Sequence, residues 1–346
     1  MAKIAVIGAG LFGVTIAAKL ADKNIVDLYE RNDDILQAAS GINQFRLHKG
    51  YHYPRSEETV LLSLSALKSF QREFKTAIVR NVSHYYCIAK KKSLTTPKEY
   101  ISFCERNRLS FTKVRLKLIN EKEVDLCLKV NEHLIDPALL KEALIKKLKK
   151  PNLKVFYGKT ATRSLFKNYD KVILCTYANL NSLLTLKQKR NYQYEVCEKI
   201  VVELPDKFKN KSVVVMDGPF MCVDPFGSTG YFLLGNVVHA IHSSNVGTRP
   251  IVSSKFKNLL NRGIIKNPPV TNFKKFIESA SVFLPDIAQA RYYGSMFTVR
   301  AVLPNKEKTD ERPTIVKRID KKLITVFSGK LVSSVSAASE VDRLIS

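Results

Sequence analysis

An α/β fold with a parallel sheet, and with a β-rich α+β domain interleaved in the same chain, is predicted by three observations. Residues 3–8 hold an unbroken apolar stretch, Ile4-Ala5-Val6-Ile7, where a half-exposed strand would alternate; continuity suits a strand covered on both faces. Three glycines, Gly8, Gly10 and Gly13, follow at once and open a segment with apolar residues at helical spacing over 11–20. Similar signals return at the far end, where a strand over 323–327, a Ser328-Gly329-Lys330 turn and a helix over 333–345 bracket everything between.

The N-terminal elements are completed by a second apolar strand over 25–29, ending in Glu30-Arg31, which gives a βαβ unit. Residues 40–56 form a loop rich in Gly, His, Tyr and Arg, and a helix over 57–74 follows. Residues 80–128 read as strands plus a basic helix over 97–107. Asp136 at an N-cap and Pro137 at the first helical position start a helix running to residue 150. Short strands are expected over 154–157 and 171–175. Residues 192–245 are β-rich, with alternation over 198–203 and 231–238, and residues 250–290 are mainly helical. No repeat or low-complexity linker divides the 346 residues, a length that suits two domains.

Composition narrows the class. Hydrophobic residues at 45% and charged residues at 25% are ordinary for a globular chain. No apolar run is long enough to cross a bilayer, and the N-terminus enters a strand with no basic segment ahead of an apolar one, so neither a membrane span nor a signal peptide is expected. Cys87, Cys104, Cys127, Cys175, Cys197 and Cys222 form no CxxC pair, which fits reduced thiols in a cytoplasmic protein. His239 and His242 have no acidic neighbour in their segment, so no metal site is expected.

The formal net charge of +26 admits nucleic acid, an anionic membrane surface or an acidic small molecule as partner. The excess is spread: residues 225–277 contain no acid, and the lysine runs at 90–92 and 146–150 are short. Zinc-finger spacing and RNA-recognition motifs are missing, which argues against nucleic acid. Peripheral contact with an anionic membrane stays open, as does the oligomeric state.

The chemistry begins at Gly8-Ala9-Gly10-Leu11-Phe12-Gly13. Gly8 allows the tight turn, Gly10 lets backbone approach a pyrophosphate, and Gly13 lets helix pack on strand. The helix N-terminus then offers free N–H groups and partial positive charge to phosphates. Glu30, about 20 residues on, ends the second strand where a carboxylate binds ribose hydroxyls. This is the Rossmann-type arrangement. Glu30 disfavours NADP but does not by itself separate NAD from FAD.

Further motifs resemble the D-amino-acid oxidase superfamily of FAD-dependent oxidoreductases. They are Tyr29-Glu30-Arg31, Leu134-Ile135-Asp136-Pro137-Ala138-Leu139-Leu140, and the strand Val172-Ile173-Leu174-Cys175-Thr176, after which the family usually has glycine and this chain has Tyr177-Ala178. The loop Asn43-Gln44-Phe45-Arg46-Leu47-His48-Lys49-Gly50-Tyr51-His52-Tyr53 is similar to that of L-2-hydroxyglutarate oxidases at Asn43, His48, Gly50 and Tyr53, and departs at Gln44, Arg46 and Lys49. It continues into Pro54-Arg55-Ser56, similar to a branch associated with surface-sugar or secondary metabolism. The 294–304 segment, ending Arg300-Ala301-Val302-Leu303-Pro304, and Phe327-Ser328-Gly329-Lys330 resemble the family's last strand and glycine turn.

The resemblance implies FAD as cofactor, held by Gly8, Gly10, Leu11, Phe12, Gly13, Glu30, Arg31, Asn43, Arg46, His48, Thr176, Gly329, Lys330 and Leu331. It implies an FAD-binding domain from 1–80, 130–190 and 295–346, and a substrate-binding domain from 81–129 and 191–294. Candidate catalytic residues are His48, His52, Tyr53 and Arg300, the last as a fork for a substrate carboxylate; Lys330 would place positive charge near the flavin. The expected reaction is oxidation of a small amine or hydroxy acid by hydride transfer to flavin. Two alternatives stand beside it: a flavoenzyme of sugar, polysaccharide or secondary-metabolite biosynthesis with a sugar-linked substrate, and a basic flavoprotein that binds RNA or a membrane surface.

Overall fold

Alternate residues of the first strand, Lys3–Ile7, face two different cores. Ile4 and Val6 pack with the Leu11–Leu20 and Ser334–Ile345 helices, while Ala5 and Ile7 pack with Phe166, Tyr169, Leu180 and Phe327 on the opposite face. This two-sided burial is why the strand reads as continuously apolar. It is a central strand of a six-stranded sheet ordered Ile315–Arg318, Leu323–Phe327, Lys171–Leu174, Lys3–Ile7, Ile25–Tyr29, Leu153–Phe156. All neighbours run parallel except the Ile315–Arg318 edge. The computed structural model describes residues 1–306, 309 and 311–345.

A second, nine-stranded sheet is drawn from residues 83–130, 192–247 and 291–302. Its strands are antiparallel except where Lys211–Met216 runs parallel to Ser83–Ala89. The two long strands Tyr192–Glu203 and Arg291–Val302 pair along nearly their whole length, with Glu195 opposite Arg300. A division of the chain at residue 295 would cut this strand in two. The fold is the expected one: a Rossmann-type α/β sheet with an interleaved β-rich partner.

The 250–290 segment differs from expectation. Helix is confined to Ser254–Lys257 and Phe273–Ser281, with a 3-10 turn at Pro285–Gln289. Between them Gly263 takes φ +68°, and the adjacent Pro268 and Pro269 lack the N–H groups a helix interior requires. The Asp136 helix starts as read, its carboxylate accepting from the N–H groups of Ala138 and Leu139, but it ends at Lys147.

Candidate active site

The glycine turn has three separable jobs. Gly8 takes φ +101°, and a Cβ there would lie 2.7 Å from the Cys175 carbonyl oxygen. A Cβ on Gly13 would lie 1.7 Å from the Gly8 carbonyl oxygen, so that position serves packing. Gly10 faces open space, its hypothetical Cβ meeting only Ser40 Oγ, at 3.0 Å, as a near neighbour. Glycine offers no side chain to cap the helix; instead Leu11 N–H donates to Ser40 Oγ at 3.1 Å. Buried Glu30 accepts from Ala9 N–H at 2.7 Å and, through its other oxygen, from the backbone and side chain of Asn32. Its carboxylate therefore braces the turn as well as lining the space in front of it.

That space is a cavity of about 710 Å³, walled by residues of both sheets. Of the expected residues, Gly8, Gly10, Phe12, Glu30, Arg31, Asn43, Arg46, His48, Thr176, Arg300, Gly329, Lys330 and Leu331 line it. Leu11 and Gly13 do not: Leu11 is fully buried in the core, and only its N–H belongs to the helix terminus. His52 and Tyr53 stand off the wall beside His48, with ring centroids 5.6 Å from its ring in each case. Lys330 Nζ lies 4.0 Å from the centroid of the Tyr53 ring.

Charge is lopsided along the wall. Arg31, Arg46, Lys159, Lys199, Arg300 and Lys330 line it against one acid, Glu30. Burial, with Lys330, His52 and Arg46 nearby, holds His48 well below its ordinary pKa; burial with Lys330 and Arg46 does the same for His52. Both imidazoles are neutral at pH 7. Burial brings Lys330 itself down to about 7.

Three expected roles are corrected by geometry. Arg46 touches the cavity, but its guanidinium is turned into a buried ion cluster, 3.2 Å from Asp224 and 3.4 Å from Glu132, and donates to Ser212 Oγ at 3.0 Å. Arg300 is not a free fork: its Nε and Nη2 both lie 2.5 Å from Oε2 of Glu195. His242 does have an acidic partner, since its Nε2 lies 2.8 Å from Glu198, a residue of the neighbouring strand that also accepts from Thr271 and Ser295. Asn43 lines the cavity while its side chain ties the loop, donating to Ala39 O and Ser40 O and accepting from Phe45 N–H.

Residues 3–233 match the model of the DAO family, described as FAD dependent oxidoreductase. The chain belongs to this family. The FAD-dependent oxidoreductase is 27% identical over 243 residues to an FAD-dependent monooxygenase of Fusarium mangiferae, covering 68% of this chain and 64% of that one, so it spans under two thirds of that relative's length. Its fold is similar to glycine oxidase from Geobacillus kaustophilus (TM-score 0.73, 15% identity, 100% of this chain and 95% of that one). It is also similar to L-alpha-glycerophosphate oxidase from Mycoplasma pneumoniae with FAD bound (TM-score 0.72, 15% identity, 100% and 95%).

FAD is the cofactor, and the oxidoreductase's residues fit it. Gly10 leaves open the place a side chain would fill, and the buried Thr176 Oγ1 has no hydrogen-bond partner among the described residues. The missing glycine after Thr176 has a physical answer. Tyr177 takes φ +47°, the left-handed conformation a glycine adopts freely, and is held there by a hydrogen bond from its hydroxyl to Ala301 O at 2.9 Å and by stacking on Phe327.

Sequence reasoning missed Ser40, Gln44, Lys159, Tyr177 and Lys199 on this wall. Lys199 was within reach: in a strand that alternates faces, Cys197 and Lys199 share a side, and both line the cavity. Its Nζ donates to Gln44 Oε1 at 3.1 Å, so its charge meets a neutral partner.

Proposed function

We propose that the protein oxidises a small anionic amine or hydroxy acid, with FAD as the electron acceptor. The observation that carries this reading is the charge of the cavity wall: Lys199, Arg300 and Lys330 face it, and its one acid, Glu30, is engaged in the glycine turn. FAD supplies a two-electron acceptor for the hydride leaving the substrate carbon. Gly10, the helix terminus at Leu11, Glu30 and Thr176 would hold it.

The chain's own residues do the rest. Lys199, whose pKa burial lowers and whose Nζ donates to the neutral Gln44 amide rather than to a carboxylate, is the cation that pairs with a substrate carboxylate. Arg300 adds positive charge from the adjacent strand, with Glu195 fixing its orientation. His48, neutral and on the wall, accepts the proton that the substrate N–H or O–H gives up as the C–H bond breaks. His52 and Tyr53 shape His48 from behind. In this reading residues 1–80, 130–190 and 303–346 hold FAD, while 81–129 and 191–302 hold substrate; the boundary follows the intact Arg291–Val302 strand.

A second reading, a flavoenzyme of sugar or secondary-metabolite biosynthesis, draws support from the name of the Fusarium relative, a monooxygenase. Anaerobic mixing of the purified protein with a substrate panel tests the choice. Bleaching of the flavin by a small acid alone supports oxidation of that acid, and bleaching only by a nicotinamide reductant supports the second reading.

A further inference from the structure

Two acid-free stretches of the chain meet beside the cavity. Residues 171–194 and 225–277 contain no Asp or Glu. Buried Asn181 staples them together: its side-chain amide donates to Arg190 O at 2.7 Å and to Thr248 O at 2.9 Å, and its oxygen accepts from Arg190 N–H. Asn245 closes the second loop by donating to Arg249 O and accepting from Ile251 N–H. The two loops are therefore ordered and adjacent.

Their outer surface combines two features that seldom share a solvated face. Lys187, Arg190, Arg249, Lys255 and Lys257 are exposed, and none pairs with a carboxylate among the described residues. The same loops hold aliphatic side chains out in water: Leu186 is 86% exposed, Ile251 68% and Val246 58%. Three aliphatic side chains exposed on two loops that Asn181 joins give this basic face an apolar component suited to a contact surface. The same loops supply Ser182, Leu183, Pro250 and Val252 to the cavity wall, which places this surface at the cavity's border.

We propose that these paired loops dock on an anionic phospholipid surface, with Leu186, Val246 and Ile251 entering the headgroup layer and the cations neutralising lipid phosphates, so that the cavity borders the membrane. Aliphatic tips ringed by unpaired cations match that partner. RNA fits less well, because single-stranded bases stack on exposed aromatic rings and the local ones, Tyr192 and Phe256, are buried. A second copy across a two-fold axis would set cation against cation. The inference does not depend on which substrate the cavity takes, and no helix among the described residues is long and apolar enough to cross a membrane.

The test is co-sedimentation of the full-length, flavin-loaded protein with vesicles of phosphatidylcholine alone or mixed with phosphatidylglycerol. Binding to the mixed vesicles alone is expected. Since each cation near such a surface contributes about fivefold in affinity, Lys187→Glu with Arg249→Glu should weaken binding by more than tenfold. Leu186→Asp with Ile251→Asp should do the same, and reversing Lys91 and Lys92, which lie outside these loops, should change it by less than about threefold. Unchanged flavin absorbance and melting temperature in the variants separate lost docking from lost folding. The proposal is overturned by absence of binding to the anionic vesicles, by binding that survives the Leu186/Ile251 substitutions, or by RNA binding that those two substitutions abolish. A dimer in solution that they dissociate would give the surface to a second copy and overturn it as well.

Discussion

Glu195 and Arg300 stand directly opposite each other on paired strands, and one carboxylate oxygen receives both Nε and Nη2 of the arginine at 2.5 Å. The carboxylate is buried while the guanidinium is partly open to the cavity. The pair is a hinge between stability and recognition. Arg300→Ala strands a buried charge left with the hydrogen bond from Gln193, and should cost about 1–3 kcal/mol of stability. It should also lower kcat/KM for anionic substrates by roughly tenfold or more. Glu195→Gln should do the opposite to recognition: the fork is released, and KM for an anionic substrate falls while that for a neutral analogue does not. Kinetics of the two variants on a matched acid and amide check this; an unchanged acid-to-amide ratio in both would make the pair purely structural.

The glycine turn predicts a contrast between neighbours. Gly13→Ala forces a Cβ against the Gly8 carbonyl oxygen and should lower the melting temperature of the apoprotein. Gly10→Val meets mainly Ser40 Oγ and open cavity, so the apoprotein should melt near the wild-type temperature yet fail to retain FAD. Thermal melts and flavin absorbance read the two effects separately, and a flavin-loaded Gly10→Val protein would mean that the pyrophosphate lies elsewhere.

Tyr177 holds a left-handed backbone with a large side chain, at a cost of about 1–2 kcal/mol. Glycine removes that strain but forfeits the Phe327 stack and the hydrogen bond to Ala301. The half-buried ring with its stack on Phe327 is the larger contribution, so Tyr177→Gly should be destabilising. Tyr177→Phe should lose only the hydrogen bond, about 1 kcal/mol. Chemical denaturation of both variants gives the order; a Gly variant more stable than wild type would show that strain dominates.

Lys330 gives the cavity a pH dependence. Burial brings its pKa to about 7, below the ordinary 10.5, so it is charged below about pH 7 and neutral above. Affinity for an anionic substrate should therefore fall as pH rises through 7, and Lys330→Met should remove that inflection. Stability moves the other way. The unfolded chain binds more protons than the folded one between about pH 7 and 10.5, so the apoprotein should gain stability as pH rises through this window, a gain absent from Lys330→Met. Profiles of KM and melting temperature against pH measure both.

What the sequence disclosed was local. Ile4 to Ile7 show a two-sided strand, Gly8 to Gly13 a turn and helix start, and Asp136-Pro137 a cap, because each signal and its structural consequence lie within a few residues. Long-range pairing was hidden. Arg46 reads as an available cation until residues 132 and 224 are brought to it. His242 looks partnerless until the adjacent strand places Glu198 beside it, 44 positions away. Tyr177 looks like a departure from glycine until Phe327 and Ala301, more than a hundred residues on, are seen to hold it.

The measurement that bears most directly on the proposed function is an anaerobic titration of the flavin spectrum with paired substrates, each a small amine or hydroxy acid and its neutral amide. Bleaching by the acid, at least tenfold faster than by its amide and slowed in Lys199→Met, is the predicted result. Equal bleaching by acid and amide, or a spectrum that only a nicotinamide reductant can bleach, would contradict it.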